Sequence, residues 1–106
     1  MVLDSVRGRG WGRVGLEVRS PKTHELKTWL TFFDAVLSGI KLFELRWNDR
    51  DYRVGDELHL REYDPDAGYT GRYVRARVVY MIRGPILGLA EGWVVMSIQV
   101  FERGTE

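Results

Sequence analysis

A two-residue alternation of apolar and polar side chains recurs along most of this chain, and it limits the possible folds more than any other feature. Leu26, Thr28 and Leu30 alternate with Lys27 and Trp29 in "HELKTWL", Phe43 and Leu45 with Glu44 and Arg46 in "KLFELRW", and Leu58 and Leu60 with polar neighbours in "ELHLREY". A period of two is that of a strand with one buried face, so Phe43 and Leu45 are expected to face a core and Glu44 and Arg46 to face away. "RYVRARVVYMI" extends the pattern as a long strand exposing Arg75 and Arg77. "WVVMSIQVF" is apolar on both faces from Val94 to Met96, which suits the interior of a sheet. "NDRDYRVGD" and "DPDAGYTG" are rich in turn formers, and "RGPILGLAEG" reads as a loop or short helical passage.

One window departs from this period. Thr31 precedes Asp34 by three residues, an N-cap spacing, Phe33, Val36 and Leu37 fall at i, i+3 and i+4, and Gly39 supplies the stop. A helix over 31–38 is too short to persist unless that apolar face docks on a sheet. The expected fold is therefore mixed α/β and β-rich, a small β-barrel of five or six strands with one principal short helix packed against it. At 106 residues, 44% hydrophobic and with thirteen aromatics, the chain can bury one core without a metal or disulfide.

Residues 1–22 differ in character. They are glycine-rich in "GRGWG" and carry Arg7, Arg9, Arg13, Arg19 and Lys22 against Asp4 and Glu17, a net +3 in a chain whose total is +1. "RVGLEVR" has strand alternation and could pair at a sheet edge before Pro21 ends it. The division expected is a basic, partly flexible extension over 1–22 and a single domain over 23–106. With so small a net charge, any attraction for nucleic acid has to be local.

Several chemistries are excluded. Cysteine is absent, which removes disulfides, thiol nucleophiles and Cys-based zinc sites and fits a cytoplasmic location. No apolar run approaches the roughly 20 residues of a membrane span, and no leader-like apolar segment is present, so no membrane partner is expected. "DRDYRVGDELHLRE" resembles a calcium loop only briefly, because Arg53 stands where a carboxylate or amide is needed. His24 and His59 have no acidic partner at ligand spacing, and neither a metal nor a cofactor is called for.

What remains is the charged stretch "SGIKLFELRWNDRDYRVGD". Glu44 and Arg46 share one strand face, and Lys41 follows Gly39, where the backbone turns freely, so the three charged groups can converge. Held in a partly buried cleft, such a trio can orient a polar ligand or serve acid/base chemistry. On a wet surface it would be an ordinary ion pair of little energetic weight.

The pattern Gly39-x-Lys41-x-x-Glu44-x-Arg46 followed by Val54-Gly55-Asp56 resembles the ASCH domain of the PUA-like superfamily. "HELK", "LREYDPDAGYTGR" and "GWVVMSI" add a likeness to an uncharacterised group of small bacterial and phage-encoded ASCH-like proteins, over about His24 to Val100. The resemblance implies a PUA-like barrel whose cleft, between helix and barrel, takes RNA or a nucleotide-like ligand. It maps Lys41, Glu44 and Arg46 onto the cleft motif, with Asn48, Asp49, Arg50, His24 and Lys27 as further candidates. Aromatics such as Trp29, Trp47, Tyr52, Tyr63 and Trp93 are available to stack a base, and Arg75, Arg77 and the N-terminal arginines to meet phosphates.

Two alternatives stand beside binding. The first is a hydrolase acting on RNA or a modified nucleoside, with Lys41 as base and Glu44 as its partner. One ASCH subgroup hydrolyses acetylated cytidine, and this sequence departs from it in carrying Glu44 at that subgroup's threonine position. The second is a phage or bacterial protein-interaction module presenting "NDRDYR".

Overall fold

A computed structural model of the protein describes residues 19–106. The alternating segment before Arg19 and the rest of the basic extension up to residue 18 lie outside the described residues. The order of elements is β1 (Thr23–Trp29), α1 (Leu30–Leu37), β2 (Phe43–Trp47), β3 (Glu57–Asp64), β4 (Gly68–Arg83) and β5 (Trp93–Thr105). The strands form one five-stranded sheet in the order β1-β3-β4-β5-β2. β1 and β3 are parallel and every other pair is antiparallel.

The sheet curls into a half-barrel. β1 and β2 are its two edges, and among the described residues no ladder joins them. Alternation places His24, Leu26 and Thr28 of β1, Leu58 and Leu60 of β3, Val74, Ala76 and Val78 of β4, and Val94, Met96 and Ile98 of β5 on the concave side, all buried. The helix lays Phe33 and Val36 onto that surface, both completely buried. Each such side chain contributes about 1.5–3 kcal/mol, enough to hold an eight-residue helix that would not form alone.

Three local expectations are corrected: where the helix starts, how it is capped, and which way β2 faces. The helix begins at Leu30, directly out of β1, so Trp29 and not Thr31 occupies the cap position, and no side-chain cap bond is made. Asp34 instead accepts from Arg72 Nη2 at 3.2 Å. Of the two alternatives for "RGPILGLAEG", the loop is the one found: 84–92 contains no helix and is pinched by an isolated bridge between Ile86 and Leu89.

The third correction bears on function. β2 is turned over relative to the expected facing: Glu44 is 2% exposed, whereas Phe43 and Leu45 are 46% and 50% exposed. The inward side of this edge strand faces the gap between the two edges as well as the core. A carboxylate is tolerated there because two cations neutralise it, while the apolar side chains join an aromatic group on the convex face. The helix stop at Gly39 is as expected, with φ +83° and its N–H donated to the Val36 carbonyl at 3.0 Å.

Candidate functional site

The gap between β1 and β2 forms a cavity of about 410 Å³, bordered by Lys27 to Trp29 of β1, Phe32 of α1, Lys41, and β2 from Phe43 to Arg46. Its polar floor is built around Glu44. The Lys41 ammonium is hydrogen-bonded to Glu44 Oε2 and donates to the Phe43 carbonyl at 2.6 Å. Arg46 approaches from the other side, donating through Nε to Glu44 Oε1 at 3.0 Å, with Nη2 2.9 Å from the same oxygen.

Arg46 also spans the seam. Its Nη2 donates to the Lys27 carbonyl at 3.2 Å and lies 3.4 Å from Thr28 Oγ1, both on β1. Arg50 makes the equivalent reach one step away, donating to the Glu25 carbonyl at 3.0 Å. Two arginine side chains thus occupy carbonyls of β1 where a closed barrel would have a ladder. Backbone acceptors at an edge need partners, and these donors supply them without filling the cleft.

The remaining sequence candidates disperse. Lys27 borders the cavity, with its ammonium 4.1 Å from the Tyr63 ring centre. Asn48 organises the loop after β2, its Oδ1 accepting from the Tyr52 N–H at 3.0 Å. Asp49 is exposed and faces Arg50 across 3.9 Å. His24 points into the core, where Nε2 lies 2.7 Å from Asp56 Oδ2 and the ring meets Tyr52 edge-on at 4.8 Å. Arg75 is held by Glu57 and Glu102, and Arg77 donates to the Gly55 carbonyl.

Asp56 is a second buried carboxylate, and the sequence reading missed its role. It accepts two bonds from Arg19, at 2.8 and 2.9 Å, and the backbone N–H groups of Lys22 and Arg53, each at 3.1 Å. Burial alone would raise its proton affinity. The Arg19 guanidinium, His24 and the two N–H groups overcome this and hold the carboxyl well below the usual carboxylate range. Arg19 and Lys22, assigned from sequence to the extension, therefore clamp the start of the domain.

A third such group, Glu62, is 3% exposed and pairs with Arg72 at 2.7 and 2.8 Å and with the Thr70 hydroxyl at 2.6 Å. The Arg72 guanidinium lowers its proton affinity below the usual range despite burial. Arg72 continues to Asp34 and so ties the sheet to α1. Neither Asp56 nor Glu62 borders the cavity.

Aromatic walls complete the cleft. Trp29 and Phe32 are 48% and 55% exposed on its rim, and the Lys41 ammonium lies 4.8 Å from the Phe43 ring centre. Phe32 was missed in sequence because it falls off the helix's buried stripe, which is the one signal that marks it. Among the described residues no group of three His, Cys, Asp or Glu side chains is placed to hold a metal ion, and no helix is long and apolar enough to cross a membrane.

A β-rich half-barrel with a lysine-glutamate-arginine cleft at its seam is thus the class of domain that fold and site define. Residues 23–98 match the family model described as "Domain of unknown function (DUF3850)", and the chain belongs to that family. It is also 46% identical over 57 residues to the "Uncharacterized 12.9 kDa protein in GpA 3'region" of Escherichia phage P2. The match covers 54% of this chain and 51% of that protein, so the chain spans about half the length of this curated relative.

Proposed function

We propose that the chain is an ASCH-type member of the PUA-like superfamily and that its seam cleft binds RNA or a nucleotide-like ligand. One observation carries this reading: two cations converge on a single buried carboxylate at the floor of an aromatic-walled cavity of about 410 Å³. Flat apolar walls suit a base, and fixed charges at the floor suit its polar edge or a neighbouring phosphate.

Each group has capacity left for a ligand. Lys41 uses two of its three donors on Glu44 and the Phe43 carbonyl, and Arg46 Nη1 has no partner among the described residues. Glu44 accepts through both oxygens and retains lone pairs for an exocyclic amine. With Lys41 donating rather than accepting, the arrangement supports binding over base catalysis.

Fluorescence anisotropy of a labelled single-stranded RNA, titrated at rising salt, tests this. Affinity is expected to fall with salt along a shallow slope set by a few phosphate contacts, and Arg46→Ala to weaken binding and flatten that slope. Binding that ignores both salt and Arg46→Ala would contradict the proposal. Turnover of a modified nucleoside that depends on Lys41 would instead favour a hydrolase.

A further inference from the structure

The convex face of the sheet is chemically divided. Toward β3 it carries ion pairs, with Arg75 held between Glu57 and Glu102. Toward β2 it carries none. The register aligns Phe43 with Ser97 and Tyr80, Leu45 with Val95 and Ile82, and Trp47 with Trp93, and none of these outward positions is charged.

Six of these side chains are well exposed: Phe43 46%, Leu45 50%, Trp47 53%, Tyr80 62%, Ile82 37% and Trp93 38%. At about 150–250 Å² per aromatic, they present roughly 600 Å² of mostly apolar surface. That is at the upper end of what a monomer leaves in one patch. The patch is also shaped. Trp47 and Trp93 meet edge-on at 5.9 Å, and the Trp47 ring lies where a Cβ on Gly92 would stand 2.2 Å away.

We propose that this aromatic block is the interface of a homodimer, two copies packing face to face through β2, β5 and β4. A stable interface covers about 800 Å² per partner, so the block supplies most of the area and its rim the remainder. Twofold symmetry sets each patch against its own copy, which a charged patch resists and a neutral apolar one permits. The same neutrality argues against a nucleic-acid platform, which needs cations along its track. Lys41 touches the border at Phe43, and no outward position of the block adds another.

Sedimentation velocity of the full chain across the micromolar range tests the proposal. A dimer is expected at the upper end. Leu45→Glu and, separately, Tyr80→Arg are expected to leave a monomer at every concentration with an unchanged circular dichroism spectrum. Gln99→Lys, on the same face outside the block, is expected to keep the dimer. If Leu45→Glu does not fold, Tyr80→Arg decides. A wild-type chain that stays monomeric, or a dimer that survives Tyr80→Arg, overturns the inference.

Discussion

Glu44 and Asp56 are almost equally hidden, 2% and 1% exposed, and each is bonded to an arginine, yet their surroundings differ in kind. Asp56 is enclosed by Arg19, His24 and two backbone N–H groups that tie the chain before β1 to the turn before β3. Glu44 is held by Lys41 and Arg46, whose side chains are 14% and 23% exposed, and it lies against an open cavity. Burial and pairing alone do not distinguish a site from a strut. What distinguishes them is whether the partners have donors left over and room for something to receive them.

The contrast predicts unequal losses of stability on removing each carboxylate. Asp56→Ala should be the most damaging, costing about 3–5 kcal/mol in urea unfolding, because it strands Arg19 and His24 and frees two N–H groups. Glu44→Gln should cost much less, since Lys41 and Arg46 can turn to solvent in the cavity. If the two substitutions cost the same, the distinction between strut and site fails.

Acid titration sharpens the same point. Asp56 and Glu62 both have proton affinities lowered by folding. Their contribution is therefore complete above the unfolded carboxylate range, near pH 4, and is lost as pH falls through the lower folded values. Thermal melts should show stability declining below about pH 4, and Asp56→Asn should make that decline shallower. A wild-type profile flat down to pH 2 would mean that neither carboxylate is held as described.

Smaller effects should mark the link between sheet and helix. Thr70→Val removes the hydroxyl's bond to Glu62 and the one it accepts from the Arg72 N–H while leaving the Arg72 guanidinium on Glu62, and should cost about 1 kcal/mol. Its effect on RNA binding should be negligible, as Glu62 is outside the cleft. A binding loss here would place the ligand elsewhere.

Much of this was legible in sequence because strand alternation is a local signal that a buried face enforces. It located all five strands and the one helix, and Gly39 and Gly55 stand at positive φ where turns were expected. The facing of β2 was not legible. Alternation fixes which residues share a side but not which side is buried, and here both sides have a use: Glu44 for the floor of the cleft, Phe43 and Leu45 for the convex block and the border it shares with the cleft. The convergence of Lys41, Glu44 and Arg46 was readable from spacing and from the glycine before it. Asp56 and Glu62 were not, because Arg19 lies 37 residues from Asp56, and Arg72 meets Glu62 only across the hairpin. His24 was drawn to the cleft by its motif, but even parity in β1 turns it inward onto Asp56.

The central claim is that Lys41 and Glu44 act as one unit on a ligand. A double-mutant cycle tests it most directly, with single-stranded RNA affinity measured for the wild type, Lys41→Ala, Glu44→Gln and the double variant, and folding of each confirmed by urea unfolding. The account predicts that the pair couples by at least about 0.5 kcal/mol, the double variant binding no worse than Lys41→Ala alone. Strict additivity of the two losses with intact folds would contradict it and return the pair to an ordinary ion bridge.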